Sequence, residues 1–542
     1  MLAILLLAAS PGHAQTQPAE ESECRPPERR PSAAEELYKG TDPSRNLLAY
    51  SPDRILQYPC PYPAEYRGII VRPDQVLMVQ GGQLVRRIRV GAEGTATTFT
   101  LPRLAALVGD RSWIGEVAPG VFQVDAAIQQ RDSTLLVTGP DVKEVRLTTR
   151  PHVFMGGIRS QALFQDVKVT SWDPAGNGPD LNPVDGRPFI VYESGSRLDI
   201  GHSEFTHLGS DRTSAYGVTW RTLGTTGRVL DSVFSNNFFG AYSFEAANIE
   251  FRRNVFRNNA YYGLDPHTAT TGLVVEDNEA YGNGTHGIIF SQYVTDSVLR
   301  NNRLYRNGSS GIVLHARSDR NRVEGNVAEN NGEDGIVIIG SGHNVVTNNT
   351  IRHNHVGIRV NDLGSDRNEI VGNTVEDNAV GVKIYGGAIE AALVDNTVRR
   401  SAEKGVVLDA PMSKVVRTNV QGAPRGLELD GVVDVRDTNI GEVDEGIRAA
   451  PTAIVDLRNV TVAARRTGAR FQPGAITTMH EVDFTAPTAV VRPGGSSSSW
   501  TDYLPFVGLA AVALAVGLDV LRRVRNRDQP TTQAPPQVLN SA

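Results

Sequence analysis

An aspartate and a histidine flank one proline near the middle of the chain, in the run Tyr262-Gly263-Leu264-Asp265-Pro266-His267. Proline has no N–H to donate and is disfavoured inside a paired strand, so Pro266 predicts a local distortion that displays its neighbours. A carboxyl group and an imidazole displayed together can exchange protons with a bound ligand. A lone surface histidine at a turn is the alternative, but the Asp-Pro-His order inside a repeat favours a functional site.

Further polar and aromatic side chains recur around this run, at the second and fourth positions after successive glycines. These pairs are Thr219 and Arg221, Tyr242 and Phe244, Asp265 and His267, Ile289 and Ser291, Val313 and His315, Val337 and Ile339, Arg359 and Asn361, and Lys383 and Tyr385. Aromatic rings provide platforms for sugar rings, and cationic side chains suit carboxylates. We therefore predict a groove for an acidic polysaccharide. The net charge of −6 gives no basic bias towards nucleic acid.

The spacing of these residues follows an internal repeat. The pattern N-x4-N-x3-G begins at Asn254, Asn278, Asn302 and Asn326, so successive copies lie 24 residues apart. Apolar residues occupy the first and third positions after the glycine in nearly every coil, which is the period of a strand with one buried face. Helical repeats of about 33 to 47 residues do not match this period. The predicted fold class is all-β, a right-handed parallel β-helix with coils of about 22 to 24 residues.

The repeats divide the chain into regions. Residues 151–480 are predicted to form the regular β-helix, and residues 15–150 an N-terminal cap region that leads into the first coils. Within the cap region we predict a short helix from Leu101 to Val108 and strands from Gly120 to Val137. A separate sugar-binding module is the alternative.

The repeated asparagines have a structural interpretation. They recur at one turn, where asparagine tolerates the left-handed conformation and its amide can stack on the amide of the next coil. The same turn chemistry explains the sequons at Asn283, Asn307 and Asn348, which we do not expect to carry glycans. The members of the predicted ladder are Asn254, Asn278, Asn302, Asn326, Asn349, Asn373 and Asn396.

The N-terminal end predicts an export signal. Leu2 to Ala9 is an apolar run that is followed by Ser10-Pro11-Gly12-His13-Ala14, and residues 1–14 are therefore predicted to be a signal peptide. Cys24 and Cys60 are an even pair in an exported chain and predict one disulfide. Two unrelated free thiols are the alternative.

The C-terminal end predicts a membrane anchor. Residues 481–502 are expected to be a Gly/Ser linker, residues 503–521 a transmembrane helix and residues 522–542 a disordered cytoplasmic tail that begins with clustered arginines. The chain should then be anchored in the cell membrane by this helix, with the β-helix outside the cytoplasm. A buried core helix is the alternative for residues 503–521.

The central segment also resembles a known family, the periplasmic mannuronan (alginate) C5-epimerases of the β-helix type. The resemblance covers roughly residues 60 to 400. It implies an Asp-Pro-His-Asp motif whose histidine is the catalytic base, with an arginine one coil later that neutralises the substrate carboxylate. The residues that carry it are Tyr262 to His267, Gly272-Leu273, His286 to Ser291, Gly311 to Leu314, Thr170 to Pro174 and Asp185 to Phe189.

Two residues depart from the family pattern. Thr268 stands where the family has the second aspartate, and Gln292 stands where it has the arginine. Removal of H5 from a uronate leaves a carbanion beside a carboxylate, and that pair of charges requires a proton, a metal or a cation nearby. Glutamine carries no charge, so the positive charge would have to come from a neighbouring arginine or from a bound Ca²⁺. We expect no cofactor to be required.

The resemblance implies roles for the site residues. We expect His267 to take H5 as the base, Asp265 to orient it, Tyr262 or a water to return a proton to the opposite face, and Gln292 to hold the carboxylate weakly. The expected substrate-binding residues are Arg221, Tyr242, His286, Ser291, His315, Arg317, Arg359 and Lys383.

Three classes of function remain open from the sequence. The first is a uronan C5-epimerase or a lyase, because both reactions share the C5 carbanion. The second is a polyuronate-binding protein that has kept the groove without turnover. The third is a maturation or scaffold β-helix. A metal-delivery role would require clustered His, Met or Cys ligands, whereas the chain has five Met and 11 scattered His.

Overall fold

The computed structural model describes residues 64–91, 98–150, 152–183, 186–211 and 216–492. The predicted signal peptide, the disulfide between Cys24 and Cys60, the transmembrane helix at 503–521 and the cytoplasmic tail lie outside these residues. Within the described ranges, no helix is long and apolar enough to cross a membrane.

Three parallel sheets, A, B and C, are wound by the chain in that order, so that one strand of each makes one coil. Sheet A consists of β1 (Arg67–Val71), β7 (Ala127–Arg131), β10 (Phe154–Ile158), β13 (Phe189–Glu193), β16 (Val218–Arg221), β19 (Ala241–Phe244), β22 (Leu264–His267), β25 (Ile288–Ser291), β28 (Ile312–His315), β31 (Asp334–Ile339), β34 (Val356–Asn361), β37 (Val380–Tyr385), β40 (Lys404–Asp409), β43 (Arg425–Asp430) and β48 (Thr488–Val491).

Sheet B consists of β4 (Thr98–Thr100), β8 (Thr134–Thr138), β11 (Gln161–Gln165), β14 (Arg197–Gly201), β17 (Gly227–Leu230), β20 (Ile249–Arg252), β23 (Val274–Glu276), β26 (Val298–Arg300), β29 (Arg322–Glu324), β32 (Val345–Thr347), β35 (Glu369–Val371), β38 (Ala392–Val394), β41 (Ser413–Val416) and β44 (Val432–Arg436).

Sheet C consists of β6 (Val121–Val124), β9 (Glu144–Thr148), β12 (Lys168–Trp172), β15 (Glu204–Thr206), β18 (Val233–Ser235), β21 (Val255–Arg257), β24 (Glu279–Tyr281), β27 (Arg303–Tyr305), β30 (Val327–Glu329), β33 (Thr350–Arg352), β36 (Thr374–Glu376), β39 (Thr397–Arg399) and β42 (Asn419–Gln421). The long strands β45 (Asn439–Ala449), β46 (Ile454–Phe471) and β47 (Ile476–Thr485) pair in more than one sheet.

Apolar residues at the first and third positions after the glycines, such as Ile288 and Phe290 after Gly287, form the core beneath sheet A. Ile288 pairs in register with Ile312, and Ile312 with Ile336, so these side chains stack along the coils, and all three are fully buried. The glycine before each strand permits the close approach of coils, since a Cβ at Gly287 would lie 2.8 Å from the Gly311 carbonyl oxygen. The alternation predicted from the sequence is confirmed.

The asparagine ladder is buried and hydrogen-bonded from coil to coil. The Asn278 amide Nδ2 donates to Asn302 Oδ1 at 2.9 Å, and the Asn278 backbone N–H donates to the same oxygen at 3.0 Å. The predicted amide stacking is therefore present. The predicted left-handed conformation is wrong for the ladder residues, because it belongs to the residue before each of them, such as Asp277 (φ 56°) and Asn301 (φ 56°).

At the two ends of the β-helix, the observed elements can be compared with the predicted boundaries. The predicted helix is observed at Leu101–Val108, and an antiparallel group, β2 (Gln75–Gln80), β3 (Gln83–Arg89) and β5 (Ile114–Ala118), lies beside the first coils. The linker predicted at 481–502 is wrong for its first part. Val482 and Phe484 alternate as in a strand because they lie in β47, where they pair with Val460 and Val462 of β46.

Candidate functional site

Pro266 interrupts the pairing between β22 and β25. Parallel partners are present at Leu264 with Ile288 and at His267 with Ser291, whereas Asp265 and Pro266 have no partner in β25. The interruption follows from the missing N–H of proline, and the predicted distortion is therefore observed. The expected display of its neighbours is wrong, since Asp265 is 0% exposed and His267 is 3% exposed.

His267 lies at the end of β22, between an aromatic ring and the turn that leads to sheet B. The Tyr242 ring centroid lies 5.8 Å from that of His267, at an angle of 40°. Burial, together with the positive charge that His315 can carry, lowers the pKa of His267 to about 3. The imidazole is therefore neutral at physiological pH and able to accept a proton.

Two turn residues connect to the His267 ring. His267 Nδ1 lies 2.6 Å from Thr268 Oγ1, and the Thr268 hydroxyl donates to Gln292 Oε1 at 3.2 Å. Thr268 and Gln292 follow β22 and β25 directly, and they are adjacent because the Thr268 N–H donates to the Ser291 carbonyl at 2.9 Å. Sequence reasoning noted both residues as departures but did not predict this contact.

Asp265 points outward from β22 into the floor of the groove. Both carboxyl oxygens are buried and have no hydrogen-bond partner, so the expected bond from Asp265 to His267 is not made. Burial raises the pKa of Asp265 well above its usual value. Burial disfavours the charged form, so this carboxyl group keeps its proton to higher pH than an exposed aspartate does, and a protonated carboxyl group can donate a hydrogen bond.

Tyr262 and His286 line one side of this floor. Their rings stack at 5.6 Å with an interplanar angle of 4°. His286 Nδ1 accepts the Ser310 N–H at 3.2 Å, so the neutral ring carries its proton on Nε2. The pKa of His286 is lowered to about 4, mainly by burial. The pKa of Tyr262 is raised, mainly by burial and to a smaller extent by the negative charge of an ionised Asp265. Both groups remain uncharged at neutral pH.

Two of the four predicted cations are held by carboxylates. Arg221 is 3% exposed, pairs with Glu193 at 3.4 Å and lies over the Phe244 ring. Arg359 Nε donates to Asp334 at 2.7 Å. These ion pairs place Arg221 inside the wall of the groove and restrain Arg359 at its side, so neither is a freely available partner for a substrate carboxylate.

The other two predicted cations differ in exposure, since Lys383 is half-buried and Arg317 is exposed. Lys383 Nζ lies 4.5 Å from the Tyr385 ring centroid. Arg317 is exposed, in the turn that follows His315 on β28. Since β28 is the second strand beyond β22 in sheet A, Arg317 lies on the same rim of the groove as Thr268 and Gln292.

The structure thus brings most of the predicted residues together and separates a few. Arg221 lies two strands before β22, and Arg359 and Lys383 lie four and five strands beyond it. No group of three or more His, Cys, Asp or Glu in the described ranges is arranged to hold a metal ion. The residues gathered on β19 to β28 and their turns are Tyr242, Tyr262, Asp265, His267, His286, Ser291, Gln292, His315 and Arg317.

Sequence reasoning missed two columns of side chains that border the groove. One is the position before each glycine, which contains Tyr262, His286 and Asp334, and the other is the fifth position after it, which contains Thr268 and Gln292. All of these except Asp334 were named from the sequence as single residues, but not as members of a column. The signal was present in the sequence, because both columns keep a constant offset from the glycine ladder.

Known proteins match the central coils. The family described as "Right handed beta helix region" matches residues 189–351 and 315–420. A mannuronan C5-epimerase of Pseudomonas fluorescens is 31% identical over 201 residues, which are 34% of this chain and 38% of that protein. The mannuronan C5-epimerase AlgG of Azotobacter vinelandii is 31% identical over 196 residues, which are 33% of this chain and 37% of that protein.

A solved structure matches over a longer stretch. A crystal structure of a variant of the periplasmic alginate epimerase AlgG gives a TM-score of 0.50 at 20% identity, over 73% of this chain and 84% of that chain. The present chain spans only 38% of the length of the Pseudomonas fluorescens relative. The resemblance predicted from the motifs is confirmed: the chain forms a right-handed parallel β-helix whose central coils are homologous to part of the mannuronan C5-epimerases.

Proposed function

We propose that this protein binds a polyuronate along sheet A and removes the proton from C5 of one uronate residue. The observation that carries the proposal is His267, a buried neutral imidazole on a distorted strand, two residues from Asp265 and packed against the Tyr242 ring. The C5–H bond would break with its proton moving to His267 Nε2, and its electron pair would remain at C5. Epimerisation is complete when a proton is returned to C5 from the opposite face by Tyr262 or a water.

The carboxylate next to C5 requires neutralisation during this step. A protonated Asp265 would add no negative charge to the site and would donate a hydrogen bond to the carboxylate or to the developing enolate. Among the predicted cations, Arg317 is the one we assign to the carboxylate, because it is exposed on the groove rim two strands from His267. Arg221 and Arg359 are engaged by Glu193 and Asp334.

The similarity to mannuronan C5-epimerases supports the same reaction class and a mannuronan-like substrate. The solved epimerase of similar fold is a periplasmic protein, which supports an extracytoplasmic location for this chain. Anchoring by a C-terminal helix stays a prediction. Elimination from the same carbanion would break the C4–O bond instead and shorten the polymer.

Exchange of H5 in deuterated water tests the proposal directly. Full-length protein is incubated with polymannuronate, and proton NMR follows the loss of the H5 signal and the appearance of guluronate or unsaturated ends. We expect exchange by the wild type and none by His267→Gln. The matched control is His353→Gln, which changes an exposed histidine outside the groove and should keep wild-type activity.

Gln292 favours a second outcome, namely a polyuronate-binding protein without turnover, because no positive charge stands at that position. Binding of polymannuronate by the wild type without any H5 exchange would select this function over the enzyme. Absence of both binding and exchange would leave the scaffold interpretation.

A further inference from the structure

We propose that Thr268 and Gln292 are positioning residues that fix which nitrogen of His267 carries the proton. The inference deepens the proposed function and rests on it only for its consequence in catalysis. Its starting observation is the unbroken chain of contacts from the imidazole through the Thr268 hydroxyl to the Gln292 amide.

The direction of each hydrogen bond follows from the number of protons available. The Thr268 hydroxyl has one proton, which it donates to Gln292 Oε1 at 3.2 Å. Towards His267 the same oxygen can then only accept, over a distance of 2.6 Å. The neutral imidazole must therefore carry its proton on Nδ1, which leaves the lone pair on Nε2 to accept H5.

Thr268 and Gln292 occupy the same turn position in two successive coils, next to His267. Thr268 and Gln292 have left-handed backbones, with φ of 26° and 63°. A β-branched residue with positive φ is strained, and such strain persists where the surrounding structure imposes it. Ala316 and Gly340 occupy the same turn position in the next two coils and have no side chain that could continue the chain of hydrogen bonds.

The opposite arrangement of protons makes an opposite prediction. If the Gln292 amide were rotated, its NH₂ group would donate to Thr268, and the Thr268 hydroxyl would donate to Nδ1. His267 would then carry its proton on Nε2 and could not act as a base at that atom. The identity of the protonated nitrogen therefore decides between the two arrangements.

NMR of the full chain labelled with ring-¹⁵N histidine measures this directly. The signals of His267 are assigned as those lost in His267→Gln, and two-bond and three-bond ¹H–¹⁵N correlations identify the protonated nitrogen. We expect Nδ1–H in the wild type and in Thr268→Ser, which keeps the hydroxyl. In Thr268→Val, which removes the hydroxyl at nearly constant size, we expect Nε2–H to become populated.

Variants of Gln292 test the second link. Gln292→Glu offers only acceptor oxygens, so the Thr268 proton stays directed away from His267 and Nδ1–H persists. Gln292→Leu removes the acceptor, so the hydroxyl is free to donate to Nδ1 and the ring shifts towards Nε2–H. Thr271→Val is the matched control, since it removes a threonine hydroxyl that bonds the Thr295 carbonyl without touching His267.

The catalytic consequence is a change in kcat rather than in KM. Loss of one positioning hydrogen bond should lower kcat for H5 exchange roughly 2- to 10-fold in Thr268→Val, with recovery in Thr268→Ser. A wild-type ring protonated on Nε2, or a tautomer that is the same in wild type and Thr268→Val, would overturn the inference. If the tautomer follows Thr268 but no variant exchanges H5, the inference stands and the proposed enzyme function fails.

Discussion

The acid limb of the pH profile is the most direct consequence of the buried imidazole. An exposed histidine has a pKa near 6.5, whereas burial and the nearby His315 lower the pKa of His267 to about 3. Only the neutral ring can accept H5. Lowering the pH from 7 to 4.5 therefore tests whether the base is the shifted His267.

The expected magnitude follows from the two pKa values. At pH 4.5 a ring with a pKa of 6.5 is neutral in about 1% of molecules, but a ring with a pKa near 3 is neutral in about 97%. The value of kcat/KM for H5 exchange should therefore stay within about twofold between pH 7 and pH 4.5. An ordinary histidine base would lose activity roughly 100-fold over the same range.

The assay must separate titration of the base from loss of the fold. In the unfolded chain histidines bind protons below about pH 6.5, whereas folded His267 and His286 resist protonation until about pH 3 and 4. Their contribution to stability is complete above about pH 6.5 and is lost progressively as the pH falls towards those values. Circular dichroism at each pH verifies that the chain is folded.

Other titrating groups near the base are few and can be tested. Asp265 lies on the same strand as His267, Tyr242 on the preceding strand and His315 two strands beyond it. Burial raises the pKa of Glu193, three strands before His267, to about 7. Glu193→Gln identifies any limb near pH 7 that belongs to this carboxyl group. A limb with a midpoint near 6.5 that persists in Glu193→Gln, in folded protein, would refute the assignment of His267 as the base.

Three further predictions address the fold and the ligand. Asn302→Leu should lower the free energy of unfolding, measured by urea titration, by about 2 to 6 kcal/mol, because it leaves two buried N–H donors of Asn278 without an acceptor. The control Asn439→Leu, at an exposed asparagine, should change the free energy of unfolding by less than about 1 kcal/mol. Calorimetric titration should detect binding of polyuronates that weakens with added salt, and equal affinity for neutral glucans would remove the role of the carboxylates. Circular dichroism of residues 25–490 should show strand as the dominant structure, and a helix content above about one third would contradict the β-helix.

The architecture could be predicted from the sequence because each coil repeats the same chemical requirements. Apolar residues such as Ile288 and Phe290 alternate with the period of a strand, and the glycine before them recurs because any Cβ there would meet the carbonyl of the next coil. The asparagines recur because each amide satisfies the one before it. Because each repeat must pack on and hydrogen-bond to the next copy of itself, the local pattern is compatible with few folds.

The functional assignment of single side chains could not be predicted in the same way. Arg221 occupies an outward position, but the sequence does not reveal that Glu193 in the preceding coil binds it. The role expected for Asp265 assumed a bond to His267, and that bond is absent because the imidazole turns to Thr268 instead. Contacts of this kind depend on side-chain rotation across neighbouring coils, which period and spacing do not determine.

The asparagine ladder has a consequence for how such a protein changes its length. Each amide bonds only to the coil before and the coil after it, and the bonds from Asn278 to Asn302 are equivalent to those from Asn302 to Asn326. Removal or duplication of one complete repeat would therefore restore an equivalent junction. The separation between His267 and the cations at Arg359 and Lys383 can thus be adjusted in steps of roughly 4.8 Å, one strand spacing, while the catalytic coil remains unaltered. Because the ladder allows whole coils to be added or removed, the number of coils sets the length of the groove. The length of polymer that is bound and the reaction performed on it can therefore evolve separately.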